Sequence, residues 1–248
     1  MHLVKKPVVL LAVVPASFLF VFATAKNSSD SREIPTSTAN VIEENHSINL
    51  ESTSALFADL HLDKVGMKQT VFNSALQGLQ KLSANGEVKR SDIVTIIDFS
   101  QPSNKKRLYV LDLENKQILF NTLVAHGRNS GKLWAKSFSN NASSLRSSPG
   151  FYVTAETYVG DNGYSLRLDG MEKNINDHAR DRGIVLHGAS YVDESAVSSH
   201  GFLGRSWGCP AVPESDHEAI INAIKDGTCL FIYSPEKNYL RKSTLLNS

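Results

Sequence analysis

The chain has 248 residues, 26 basic and 25 acidic side chains, a net charge of +1 and only two cysteines. Such a balance argues against nucleic acid as the main partner, because phosphate binding needs a basic surface. The length suits one sizeable core with a small helical extension.

The first residues have the layout of a secretory signal peptide. "MHLVKK" is a basic start, "PVVLLAVVPASFLFVF" is a 16-residue apolar run, and "ATA" ends at Ala25 with small residues suited to cleavage. The run is shorter than the ~20 apolar residues of a spanning helix and contains Pro15, so no stable membrane insertion is expected after cleavage. Export to a periplasm or cell wall is the expected destination. Without residues 1–25 the chain keeps 24 basic and 25 acidic side chains. Residues 26–64 begin polar and rich in Ser, Thr and Asn and are expected to form a flexible linker.

Residues 65–91 predict a helical extension. "VGMKQTVFNSALQGLQKLSA" places Val71, Phe72, Ala75, Leu76, Leu79 and Leu82 at three- and four-residue spacings, the stripe of an amphipathic helix. The main domain, 92–236, reads as short strands at 92–99, 107–113, 117–125, 150–158, 164–169 and 183–188, separated by breakers such as Gly160-Asp161-Asn162-Gly163. Strands joined by short turns predict a mainly β (α+β) domain with an antiparallel or mixed core and a few helices. Ser215 and Glu218 have capping-box spacing before Ile220, Ile221 and Ile224, and Gly227 is expected to end that helix. A strand holding Cys229 closes the domain, and 237–248 is expected to be a C-terminal tail.

The second cysteine, Cys209, lies in "GRSWGCPAVP". A Cys209–Cys229 disulfide would stabilise the fold by roughly 3 kcal/mol, but the apolar run around Cys229 suits a buried cysteine acting as a small hydrophobe. A free thiol with pKa ~8.5 needs a base to become a nucleophile, and histidine is the usual one. "IVLHG" puts His187 at a strand end, and the segment between His187 and Cys209 reads as a long glycine- and serine-rich loop, a common place for an active site. Gly208 permits a tight turn and close approach, Pro210 fixes the chain beyond it, and the N–H groups of Gly208 and Cys209 would converge on an oxyanion. One His–Cys pair is a weak signal by itself. Zinc held by His187, His200 and Cys209 lacks the close ligand pairs such sites usually show, and no metal is expected. His126 either lines the cleft or stabilises a turn, and Trp207 is either core or cleft wall.

"IVLHGA" followed by "GRSWGCPAVP" resembles the L,D-transpeptidases of the bacterial cell wall, the YkuD-like catalytic fold, with "SSPGFY" matching a further family segment. The resemblance spans roughly 92–235. It implies a YkuD-like β-sandwich of mixed sheets with peripheral helices, Cys209 as nucleophile, His187 as base and the Gly188 carbonyl as its orienting partner. Ser206 and Gly208 fall on the family's S-x-G-C turn. It further implies peptidoglycan stem peptides as substrate, no cofactor, and acylation of Cys209 by carbapenems. Trp207 stands where better-known members have histidine, and Pro210-Ala211 replaces their hydrophobic-Arg pair. Arg205, Trp207, His200 and His126 are the candidates for substrate contact. Hydrolysis of the same thioester and a non-catalytic wall-binding module are the competing readings.

Overall fold

The structure, a computed structural model, describes residues 50–247; the expected signal peptide and residues 26–49 of the expected linker lie outside the described residues. The remainder of that linker is not extended chain. Residues Leu50–Asp59 form helix α1, and Leu60 and Leu62 just beyond it are buried. These apolar residues sit too close to the next helix to be left in solvent. That helix, α2, covers Gln69–Ala84 and buries Val71, Phe72, Ala75, Leu79 and Leu82 of the predicted stripe, with Leu76 half-buried.

The strands follow as β1 (Arg90–Asp98), β2 (Leu108–Asp112), β3 (Gln117–Thr122), β4 (Gly150–Gly160), β5 (Gly163–Gly170) and β6 (Val185–Gly188). Helix α3 (Glu194–His200), β7 (Ala211–Val212), α4 (His217–Ile224), β8 (Thr228–Tyr233) and α5 (Lys237–Lys242) complete the chain. The mixed sheet expected from the sequence is one eight-stranded sheet in the order β3-β2-β1-β8-β4-β5-β6-β7. β1 runs parallel to β8, β7 runs parallel to β6, and the other pairings are antiparallel. The predicted strand 117–125 stops at Thr122, because the chain then crosses to the far edge. There Ala125 bridges Ala211 and Gly127 bridges Ser206. The sheet thus curls until its two ends meet, nearly a barrel, and the cysteine turn lies on the seam.

Both faces of the central strands are buried, which explains their near-continuous apolar sequence. On one face Ile93, Ile97, Leu230 and Ile232 pack with Ile220, Ile221 and Ile224 of α4. On the other, Val94, Ile96, Cys229 and Phe231 pack with α2. Cys209 packs at the margin of the first core and Cys229 is wholly inside the second, so the sheet separates the two free thiols.

Two local expectations are corrected. Ser215 does not cap α4: the N-cap is Asp216, which makes no side-chain cap. The Asp216 carboxylate instead accepts from Ser215 and, at 2.8 Å, from the Thr122 hydroxyl, tying the start of α4 to the end of β3. The C-terminal tail also contains structure. α5 docks where buried Glu172 accepts hydrogen bonds from the Ser243 hydroxyl and from Phe151 N–H, the latter at 2.9 Å.

Candidate active site

β6 ends in His187 and Gly188, and its parallel pairing with β7 sets His187 opposite Ala211, two residues past Cys209. His187 N–H also reaches the Pro210 carbonyl at 3.4 Å. This register brings His187 and Cys209 to one cleft of about 410 Å³, whose wall includes Arg205, Ser206 and Trp207. A second cavity of about 520 Å³ shares His187 and Tyr191 with the first and is lined further by Gly188, Glu214 and His217 among others. The tip of the β4–β5 hairpin, Asp161-Asn162, overhangs both.

His187 is 4% exposed, and its Nδ1 lies 2.8 Å from the Gly188 carbonyl. A carbonyl only accepts, so this contact assigns the proton to Nδ1 and leaves a lone pair on Nε2 that can accept one. Burial, and secondarily the nearby His217, hold the imidazole below its ordinary pKa. Burial pushes the Cys209 thiol up, opposed by a hydrogen bond from the Val185 backbone and by the charge of Arg182. Both shifts disfavour a thiolate–imidazolium pair at rest, and the Sγ donates to the Gly183 carbonyl at 3.6 Å. Shifts in these directions suit proton transfer during attack better than a preformed ion pair.

The turn before Cys209 is held from three sides. Ser206 Oγ accepts from Gly208 N–H at 3.1 Å and donates to the Cys209 carbonyl at 2.6 Å. Ser147 Oγ donates to the Gly208 carbonyl at 3.0 Å. Ser206 N–H binds the His126 carbonyl at 3.1 Å. The Gly208 N–H is thus already used inside the turn and is not a free oxyanion donor, which corrects the sequence-based expectation. The Cys209 N–H lies against its own sulfur and lowers the thiol's pKa slightly.

Gly208 itself has φ +134°, and a Cβ there would stand 2.9 Å from the Arg146 carbonyl. Gly208→Ala is expected to cost about 1–3 kcal/mol of stability, read as a lower Tm, and to slow acylation of Cys209 about 100-fold through the displaced turn. A variant as reactive as wild type would refute that account.

A family model described as the L,D-transpeptidase catalytic domain matches residues 63–233. The chain belongs to the L,D-transpeptidase catalytic domain family. Solved structures similar to it include an L,D-transpeptidase from Mycobacterium smegmatis, at 10% identity and TM-score 0.37, covering 58% of this chain and 59% of that one. The helical cell shape determining protein Pgp2 from Campylobacter jejuni, in mutant form, gives 16% identity and TM-score 0.40 over 65% of this chain and 57% of that one. L,D-transpeptidase 3 from Mycobacterium tuberculosis, in complex with a faropenem-derived adduct, gives 15% identity and TM-score 0.36 over 58% and 60%. The chain thus spans about three fifths of the length of these structures. No curated protein matches it.

In this L,D-transpeptidase catalytic domain the candidate residues separate into two groups. Cys209, His187, Gly188, Ser206, Gly208, Arg205 and Trp207 gather at or between the two cavities, and Trp207 is 75% exposed, a cleft wall and not core. His126 and His200 do not line the cleft. His126 is fully buried, its Nδ1 accepting from Arg107 at 2.8 Å, and it serves the turn that carries Ser206. His200 sits on the last turn of α3, its ring 6.2 Å from that of Phe202. The expected long loop between His187 and Cys209 therefore contains a short helix, started by the Asp193 side chain accepting from Ala196 N–H and ended by Gly201 in the left-handed region. Asp161, Arg182, Tyr191 and His217 also reach the cavities, and no spacing in the sequence singled them out. His217 packs so closely on Gly188 that a Cβ there would stand 2.7 Å from its Cγ, the steric reason for glycine after His187.

Proposed function

We propose that this protein is an exported L,D-transpeptidase that acts on peptidoglycan stem peptides through a Cys209 thioester. The observation that carries the reading is His187, fixed by the Gly188 carbonyl, in one cleft with the free Cys209 thiol. His187 Nε2 takes the thiol proton as the sulfur attacks the carbonyl of the third stem residue. The oxyanion forms beside the Cys209 N–H. The tetrahedral species then collapses to a thioester, and the departing D-amino acid takes the proton from the imidazolium as it leaves. An acceptor amine, deprotonated by His187, attacks the thioester and releases the thiol.

The second cavity favours transfer to an amine over hydrolysis, because it gives an acceptor its own approach to His187. Its Glu214 and Asp161 suit a cationic amine, and Trp207 suits an extended donor strand. The basic and apolar leader supports export. Carbapenems and related penems are expected to acylate Cys209, in keeping with the faropenem-derived adduct of the M. tuberculosis protein.

The test is incubation of the protein with purified disaccharide tetrapeptide, with products identified by mass. A crosslinked dimer that has lost one D-alanine, absent from the Cys209→Ala variant, is the expected result. Tripeptide without dimer would replace transfer by hydrolysis. Neither product, with no carbapenem adduct, would leave a wall-binding module.

A further inference from the structure

Arg182 lies in the short segment between β5 and β6 and reaches the back of the cysteine turn. A Cβ on Gly208 would stand 3.4 Å from its Nη2, and Arg182 lines the Cys209 cleft. Nη1 donates to the Ser139 carbonyl at 2.8 Å and to Ser148 Oγ at 2.6 Å. Nη2 donates to Ser144 Oγ at 3.2 Å and to the Arg146 carbonyl at 2.7 Å. A guanidinium carries two hydrogens on each Nη, so all four are engaged by neutral oxygens. The Nε is buried without a partner among the described residues. This arginine therefore has no open fork for a substrate carboxylate.

Nor does any carboxylate of the described residues form an ion pair with it. A partly buried cation held only by neutral groups is electrostatically unbalanced, and it favours any negative charge formed nearby. Tyr152, the other ionisable group close to it, has a phenol that burial pushes well above the ordinary range and that donates to the Ser148 carbonyl. It stays neutral. The group beside Arg182 that becomes negative during work is the Cys209 sulfur.

We propose that Arg182 is a positioning residue whose fixed charge, clamped by the 139–148 segment, stabilises the Cys209 thiolate as its proton leaves for His187. This rests on Cys209 as the nucleophile and not on which substrate it attacks. Loss of the charge raises the energy of the thiolate, and loss of a single clamping hydroxyl leaves the charge in place.

The experiment is the pH profile of Cys209 alkylation by iodoacetamide, followed by intact mass and peptide mapping on the full chain. The other titratable groups facing the cleft, Asp161, His187, Tyr191 and Arg205, stay unchanged in every variant. Arg182→Met is expected to raise the alkylation midpoint by about one pH unit and to slow reaction at pH 7 about tenfold. Arg182→Lys is expected to recover most of that shift, and Ser148→Ala to keep the wild-type midpoint. A folded Met variant with the wild-type midpoint overturns the proposal, as does a Ser148→Ala midpoint shifted as far as that of Met. If the Met variant does not fold, the Lys variant decides: a midpoint within about half a unit of wild type supports the role of charge, and a larger rise overturns it. Because iodoacetamide needs no stem peptide, normal alkylation by a protein that forms no thioester with tetrapeptide would defeat the functional reading alone.

Discussion

Replacing His187 with glutamine is expected to slow acylation of Cys209 by stem peptide about 10²–10⁴-fold, and Cys209→Ala to abolish it. Glutamine can keep the hydrogen bond to the Gly188 carbonyl that now holds Nδ1 at 2.8 Å, yet it offers no lone pair of useful basicity. The size of the effect follows from the resting state. Burial raises the thiol and lowers the imidazole, both of which disfavour a thiolate at rest, so removal of the proton by a base during attack is the expected course. Intact-protein mass in a single turnover reads the thioester directly. Cys229, fully buried with its thiol pushed up to about 12, serves as an internal unreactive control. A glutamine variant acylated within threefold of the wild-type rate would show that another group removes the proton.

The second large effect lies away from the chemistry. Arg107 is completely buried. It donates to the Val124 carbonyl at 3.0 and 3.2 Å, to the Gln101 carbonyl at 2.8 Å and to His126 Nδ1 at 2.8 Å, and it lies over the Phe99 ring. Arg107→Leu strands those carbonyls and the imidazole, and is expected to destabilise by about 3–5 kcal/mol, a Tm lower by roughly 10 °C. The same contact sets an acid limit. Burial first, and the Arg107 charge second, hold His126 at about 3. Its pKa is lower folded than unfolded, so the unfolded chain binds the proton first. The stability it contributes is complete above about pH 6.5 and is lost as pH falls from there toward 3. Between pH 7 and 4.5 that amounts to about 2–3 kcal/mol. Thermal melts at the two pH values should show a shallower acid loss for His126→Gln than for wild type; equal slopes would assign the acid loss to carboxylates instead.

The β core was legible because its strands are short apolar runs bounded by glycine and asparagine, and α2 because its stripe is regular. A histidine at a strand end and a cysteine between glycine and proline drew attention to His187 and Cys209, but one such pair is a weak signal and the family resemblance joined them; the structure puts both in one cleft. What escaped was set by topology. α3 has no buried residue, so it carries no apolar period, and only its caps Asp193 and Gly201 announce it. Arg182 reaches the Cys209 cleft, His217 the neighbouring cavity and the Asp161-Asn162 turn both, from three separate elements, and no linear spacing records that arrangement. His126 was open to two readings, a cleft residue or a turn stabiliser, and the structure matches the second. The buried arginine beneath it could not be seen from the chain alone. The use of the Gly208 N–H by Ser206 is of the same kind, since a serine two residues away can staple a turn or face solvent with equal ease.

The sheet that separates the two thiols has a consequence for oxidative damage. Cys209 belongs to the core on one face and Cys229 to the core on the other, so no modest movement joins them. An oxidant therefore cannot tie Cys209 into an internal crosslink. Oxidation of its thiol is expected instead to give sulfenic acid or a mixed disulfide with a small thiol, forms that a reductant restores.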